Sequence, residues 1–235
     1  MQEADIVFHD ALVSNGILDL IPDGTAKQSV GKRAGRHSVP QPLICDLIVN
    51  AAKEGKRVLR LKGGDPSIFG RSEEEVTACQ NHDIRVQVCA GVTTASAAAG
   101  SLTASLTKRG LARRLTFVTA HTKAGAVPEL DWAALADPQA TIAVYMGKSS
   151  AAHISKGLIE AGLSRSTPVV MIENVSLSQE RHYPTNLELL PIIAQTAMSD
   201  GPALILIGEA VGGLSSKSAL GRSDASALSF ASAAS

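Results

Sequence analysis

The sequence predicts an α/β protein of two domains with mostly parallel sheets, and three observations carry that prediction. Short aliphatic runs recur along the 235-residue chain and alternate with stretches of helical period. Several runs end directly in glycine, at Gly63-Gly64, Gly91 and Gly147, where a strand would turn. The composition is 45% hydrophobic but only 3% aromatic, so the core must be built from Ala, Val, Ile and Leu. Those residues suit small helical faces packed on aliphatic strands.

In chain order, strands are expected at Ile6–His9, Val58–Lys62, Ile84–Cys89, Leu115–Thr119, Thr141–Met146, Pro168–Ile172 and Ala203–Gly208. Helices are expected between them at Gln41–Glu54, Ser72–Gln80, Thr94–Leu106, Trp132–Ala136 and Ser150–Ala161. Strands that alternate with helices favour parallel sheets covered on both faces. The basic stretch Lys108–Arg114, with one glycine, reads as a linker between domains at 1–111 and 112–213. The remainder, 214–235, is rich in Ser and Ala without a period and is expected to be disordered.

Composition also excludes function classes. The formal net charge is zero, which gives no support to nucleic-acid or membrane-surface binding. Residues 1–120 nevertheless hold 15 Lys+Arg against 12 Asp+Glu, a small surplus suited to a polyanionic small molecule. Cys45, Cys79 and Cys89 show no metal-ligand or redox spacing, and the six histidines form no HxH or HxxxH pair, so no metal is expected. No apolar run reaches the roughly 20 residues of a membrane span, and the acidic start lacks signal-peptide character. The expected location is the cytoplasm, with reduced thiols.

Three segments could carry chemistry. Val58–Lys62 runs into Gly63-Gly64-Asp65-Pro66 and then Ser67-Ile68-Phe69-Gly70-Arg71. Paired glycines let backbone approach a ligand, and the acid that follows can accept hydrogen bonds from a ribose or an amine. A plain strand-to-helix turn, with Glu73-Glu74-Glu75 favoured by the helix dipole, explains the same residues. Gly31–His37 holds three fixed cations, Lys32, Arg33 and Arg36, which read either as a basic loop or as a carboxylate clamp. Gly91-Val92-Thr93-Thr94 offers small residues and hydroxyls to a ligand, or a helix cap.

Together these segments resemble the uroporphyrinogen-III C-methyltransferases, a branch of the tetrapyrrole methylases. The resemblance runs from Ala4 to about Gly212 and rests on Ala4–Ser14, Gly31–Gly35, Val58–Arg71, Gly91–Ala95, Ser105–Arg109, Phe117–Thr119 with His121, Tyr145–Gly147 and Gly201–Leu204. It implies a homodimer whose two α/β domains form a cleft for S-adenosylmethionine, which leaves as S-adenosylhomocysteine. The implied reaction is C-methylation of uroporphyrinogen III, through precorrin-1, to precorrin-2 for sirohaem or cobalamin. The alternatives are an inactive truncated remnant or a methyltransferase acting on a later precorrin.

Residue by residue, the resemblance assigns Gly63, Gly64, Asp65, Ile68, Thr93, Thr94, Met146, Val175 and Ala203 to the cofactor. Asp10 corresponds to a proposed proton acceptor and Lys32 to a proposed donor. Arg33, Arg36, Arg71, Lys108 and Arg109 would meet the carboxylates of the tetrapyrrole. Relatives open with a strand and a GxGPGDP loop, so the resemblance implies that the first N-terminal strand is missing here. Val175 stands where a glycine is usual, and Cys89-Ala90-Gly91 where Val-Pro-Gly is usual.

Overall fold

A computed structural model of the chain describes residues 1–31, 39–120 and 129–214. It divides into two compact units, Met1–Ala98 with Asn174–Glu180, and Ala99–Glu173 with the chain from Arg181 onward. The stretch expected to link two domains, Lys108–Arg114, therefore lies within the second unit. Lys108 and Ala112 exchange both backbone hydrogen bonds at 2.8 Å, which closes the stretch into a turn. The expected tail lies outside the described residues from 215 onward.

The first unit is built on β1 (Ile6–His9), β2 (Ala26–Ser29) and β3 (Val58–Leu61), ordered β2-β1-β3 and parallel throughout. Its helices are α1 (Asn15–Leu18), α2 (Gln41–Lys53), α3 (Ser72–Gln80) and most of α4 (Thr94–Ser101). Helix α2 starts after Pro40, with Pro42 in its first turn where a missing N–H costs nothing. It turns Ile44, Ile48, Val49 and Ala51 onto Phe8, Val30 and Cys79. Glu73, Glu74 and Glu75 occupy the first turn of α3, where the helix dipole favours acids.

One expected strand is corrected. Residues 84–89 form no ladder. Among the described residues, no backbone group of Arg85–Ala90 takes part in a hydrogen bond. The sequence has strand character there, but a strand exists only where a neighbour accepts its polar groups.

The second unit carries β4 (Arg114–Thr119), α5 (Trp132–Leu135), β5 (Ala140–Tyr145), α6 (Ala151–Glu160), β6 (Pro168–Glu173), β7 (Arg181–Asn186), α7 (Leu190–Thr196) and β8 (Ala203–Ile207). Its sheet order is β4-β5-β8-β6-β7. The expectation of mostly parallel sheets fails in this unit, where only the β4–β5 pair is parallel. The turn from Asn174 to Glu180 is too short for a crossover helix, so β7 must return antiparallel to β6.

Ile142, Val144, Ile154, Leu158, Val169, Met171, Ile205 and Ile207 form the buried core of the second unit. Trp132 lies flat against α6 at Gly157, where an added Cβ would fall 2.5 Å from the indole. Among the described residues no helix is long and apolar enough to cross a membrane, and no cluster of His, Cys, Asp or Glu could hold a metal.

Candidate functional site

At the carboxyl end of the first sheet, β1 ends in Asp10 and β3 ends in Lys62-Gly63-Gly64. Parallel pairing of His9 with Leu61 brings the two ends together. Asp10 then accepts a hydrogen bond from the Gly63 amide at 3.3 Å and forms an ion pair with Arg60. The Gly31 backbone also presses on this corner, since a Cβ there would lie 2.0 Å from the Ala11 nitrogen. Only glycine fits so close to another main chain.

Behind Asp10 lies a charge network that the sequence reading missed. Glu75 is buried on α3 and receives Arg60 Nε at 3.0 Å, Lys62 Nζ at 2.9 Å and Gln41 Nε2 at 3.0 Å. Arg60 also donates to the Leu61 carbonyl at 3.0 Å. Two cations thus meet two carboxylates, Asp10 and Glu75, with their polar atoms satisfied. The available signal was Arg60 and Lys62 two residues apart in an aliphatic strand, which places both on one face. Glu75 of the triple-acid run stands in the first turn of α3, as the helix dipole favours, but it is also buried and serves as an ionic anchor.

The glycine loop after β3 is closed by Asp65. Asp65 Oδ1 accepts from the Ser67 amide at 2.8 Å and from the Ser67 hydroxyl, and Oδ2 accepts from the Gly91 amide at 2.9 Å. These donors, the Ser67 hydroxyl first, hold the Asp65 carboxyl below the usual carboxylate range. A Cβ on Gly91 would lie 2.6 Å from the Gly64 carbonyl, so the two loops touch through bare backbone. Thr94 stands beside them, its hydroxyl 3.4 Å from where a Gly64 Cβ would be. Thr93 accepts the Ala97 amide and opens α4. Ile68 is half-buried in the same loop, its amide bonded to the Asp65 carbonyl at 3.2 Å.

Several residues of these loops hold a left-handed backbone that side chains other than glycine rarely adopt: Phe69 (φ 51°), Arg71 (φ 56°), Asn174 (φ 55°) and Ser176 (φ 64°). The last two flank Val175, which is half-buried in the turn grouped with the first unit. Backbone strain of this kind concentrates at functional sites. Arg71 is held by Glu74 at 2.7 and 2.8 Å, a pair that raises the guanidinium pKa.

In the second unit, register brings Met146 and Ala203 to one end of the sheet. Tyr145 pairs with Leu204 and Glu173 with Ala203. A concavity of about 450 Å³ opens there, lined by Met146, Lys148, Ala152, Gln195, Gly201 and Ala203 among others. Met146 is strained (φ 55°) and exposed. Buried Glu173 anchors the wall, accepting Ser199 Oγ at 2.8 Å and Tyr183 Oη at 3.4 Å. Lys108 and Arg109 are exposed in this unit. Lys32, Arg33, Arg36 and His121 lie outside the described residues.

Comparison with known proteins gives these loops a context. Residues 1–191 match the family model of the tetrapyrrole (corrin/porphyrin) methylases. Siroheme synthases of Nitrosospira multiformis and Chromobacterium violaceum are 44% and 41% identical over 211 residues, 90% of this chain. The chain spans less than half of those relatives, 44% and 45% of their lengths. Among solved structures, the uroporphyrin-III C-methyl transferase of Thermus thermophilus complexed with S-adenosyl homocysteine is 34% identical with a TM-score of 0.74. The match covers 89% of this chain and 87% of that one. A cobalt precorrin-4 methyltransferase is 27% identical with a TM-score of 0.76, over 89% of this chain and 85% of that one.

Proposed function

The chain belongs to the tetrapyrrole (corrin/porphyrin) methylases, and from that premise we propose that it methylates ring carbons of uroporphyrinogen III, giving precorrin-2 by way of precorrin-1. The observation that carries the reading is the loop Gly63–Arg71 at the carboxyl end of β3, clasped to Gly91 by Asp65 beside a carboxylate at Asp10. A parallel sheet presents ligands to the carboxyl ends of its strands.

The residues present fit S-adenosylmethionine. Gly63, Gly64 and Gly91 bare their backbone, Thr93 and Thr94 add hydroxyls, and Met146 and Ala203 line a concavity of a size that small-molecule sites use. Asp65, Ile68 and Val175 complete the set assigned to it. When bound, the cofactor supplies a methyl group activated on a sulfonium.

What remains for the chain is alignment and proton handling. Holding reactants in line can remove several kcal/mol of a barrier, on the order of 7–11 in favourable cases. Asp10, fixed by Arg60 and the Gly63 amide, takes the proton that must leave the macrocycle once a ring carbon has gained its methyl group. Lys32 is assigned the opposite role of proton donor. Arg33, Arg36, Arg71, Lys108 and Arg109 are assigned to the substrate's carboxylates. The same reading includes a homodimer in the cytoplasm and feeds sirohaem or cobalamin synthesis.

Calorimetric titration with S-adenosylmethionine, followed by anaerobic assay with uroporphyrinogen III, tests the proposal. Micromolar binding and a tetrapyrrole product heavier by two methyl groups are expected. A folded chain that binds neither S-adenosylmethionine nor S-adenosylhomocysteine overturns it.

A further inference from the structure

Glu173 is a buried acid that the proposed chemistry does not use. It ends β6, and none of its surface is exposed. Its carboxylate accepts from two hydroxyls, Ser199 Oγ at 2.8 Å and Tyr183 Oη at 3.4 Å, and no described cation pairs with it. Burying a carboxylate on neutral donors alone costs stability that an apolar side chain of similar size would not. Packing therefore does not account for an acid at this position; what the acid holds does.

It holds the turn between α7 and β8. Glu173 pairs with Ala203 in the β6–β8 ladder, and Ser199, earlier in the same turn, returns its hydroxyl to the Glu173 side chain. Asp200, Gly201 and Pro202 therefore form an arch closed at both ends on Glu173. Ser199 as a residue is exposed, and its hydroxyl is the part bound to the buried acid.

A second grip on the same residue comes from the chain that follows β5. Lys148 stands just after Met146 and Gly147, and its Nζ donates to the Ser199 carbonyl. The backbone has little freedom there, since a Cβ on Gly147 would lie 2.8 Å from the Val144 side chain and 3.1 Å from Ile154. Met146, Lys148 and Ala152 line the concavity of the second unit from the β5–α6 connection. Gly201, Pro202 and Ala203 line it from the arch. Ser199 thus ties the two linings together, by its hydroxyl to Glu173 and by its carbonyl to Lys148.

We propose that Ser199 is the pin that sets the width of this concavity, with Glu173 and Lys148 as the positioning residues that hold it. The inference rests on the reading of the concavity as part of the S-adenosylmethionine site. All three residues act through the arch and not on the reacting atoms. A turn already fixed in its working shape loses less freedom when a ligand arrives, so the pin contributes to affinity. Its loss should weaken ground state and transition state alike, which raises KM for S-adenosylmethionine and leaves kcat in place.

The test measures S-adenosylhomocysteine binding by calorimetry on the full chain and its variants, beside urea unfolding read by the fluorescence of Trp132 in the same unit. Ser199→Ala should weaken binding about fivefold to tenfold, and Ser199→Thr, which keeps the hydroxyl, should restore it to within about twofold. Glu173→Leu should weaken binding by a similar factor while its unfolding midpoint holds or rises, because an apolar side chain replaces a buried carboxylate. The double variant should bind no worse than Ser199→Ala, since both changes remove one bond. Ser199 stands on an exposed turn, so its variants decide the matter even where Glu173→Leu fails to fold. Equal binding by Ser199→Ala and the parent chain would overturn the pin and leave the cofactor reading standing. A loss that tracks a lowered unfolding midpoint, or one that Ser199→Thr does not restore, would overturn it too. A folded parent chain that binds no S-adenosylhomocysteine would overturn the cofactor reading and the pin with it.

Discussion

The two units are held together by different means. In the second, the central strands Ile142–Val144, Val169–Ile172 and Leu204–Ile207 are buried to a few per cent or less. In the first, the four residues of β3 are only half-buried, and the strand is fixed by Arg60, Lys62, Glu75 and Asp10. A sheet flanked on both edges of its central strands can rely on packing. A sheet with an unpaired edge beside its candidate site relies on ions. The difference separates scaffold from working surface, and each variant below tries to erase it.

The largest effect is expected from Glu75→Ala. It leaves two cations in a buried site without their carboxylate, and breaking a buried pair in this way costs about 3–5 kcal/mol. Trp132 is the single tryptophan and lies in the second unit, so its fluorescence reports that unit alone. Urea unfolding followed by far-UV circular dichroism should show an early transition, while the tryptophan transition stays in place. If both move together, the units are one cooperative body and the comparison fails.

Packing should show the reverse. Ile205→Ala removes a fully buried side chain from the core that includes Trp132, and should cost about 2–5 kcal/mol in the tryptophan-detected transition. Leu59→Ala acts on a half-buried residue and should cost about 1 kcal/mol, because part of its surface already meets water. Equal losses at the two positions would mean that β3 is packed as well as β8.

How much of this was legible in sequence follows from the same division. Strands with aliphatic runs, such as β5, β6 and β8, were readable because their burial on both faces leaves a hydrophobic signature. The edge strands β2 (Ala26–Ser29) and β7 (Arg181–Asn186) were not, since a strand paired on one side and wet on the other need not be apolar. Residues 84–89 misled in the opposite sense, as apolar alternation shows capacity to pair and is silent about a partner. At the candidate site, the glycines and Asp65 were visible because few residue types suit a tight loop. The Glu75 network was hidden, because it joins residues far apart in sequence and its acid sits in a run that a helix terminus would also select. Helix α4 was expected to reach Leu106 but ends at Ser101. Thr103 takes a left-handed backbone (φ 52°) that no helix continues through.

The finest difference lies in the Asp65 clasp. Its donors hold the Asp65 carboxyl below the usual range, so the contribution is complete above that range and is lost as pH falls through the lowered value. The Gly91 amide proton is the direct reporter, because it donates to Asp65 Oδ2. Its chemical shift should stay constant from neutral pH down to about 5 and move only below about 3.9, the ordinary carboxylate value. Asp65→Asn should abolish that movement, leave both unfolding transitions nearly unchanged, and weaken S-adenosylmethionine binding several-fold. This carboxylate is solvent-reached, so little of its effect should appear as stability. A Gly91 shift that titrated at or above the ordinary value would mean that the two loops are not joined in solution. The first unit would then lack the polar closure that sets it apart from the second.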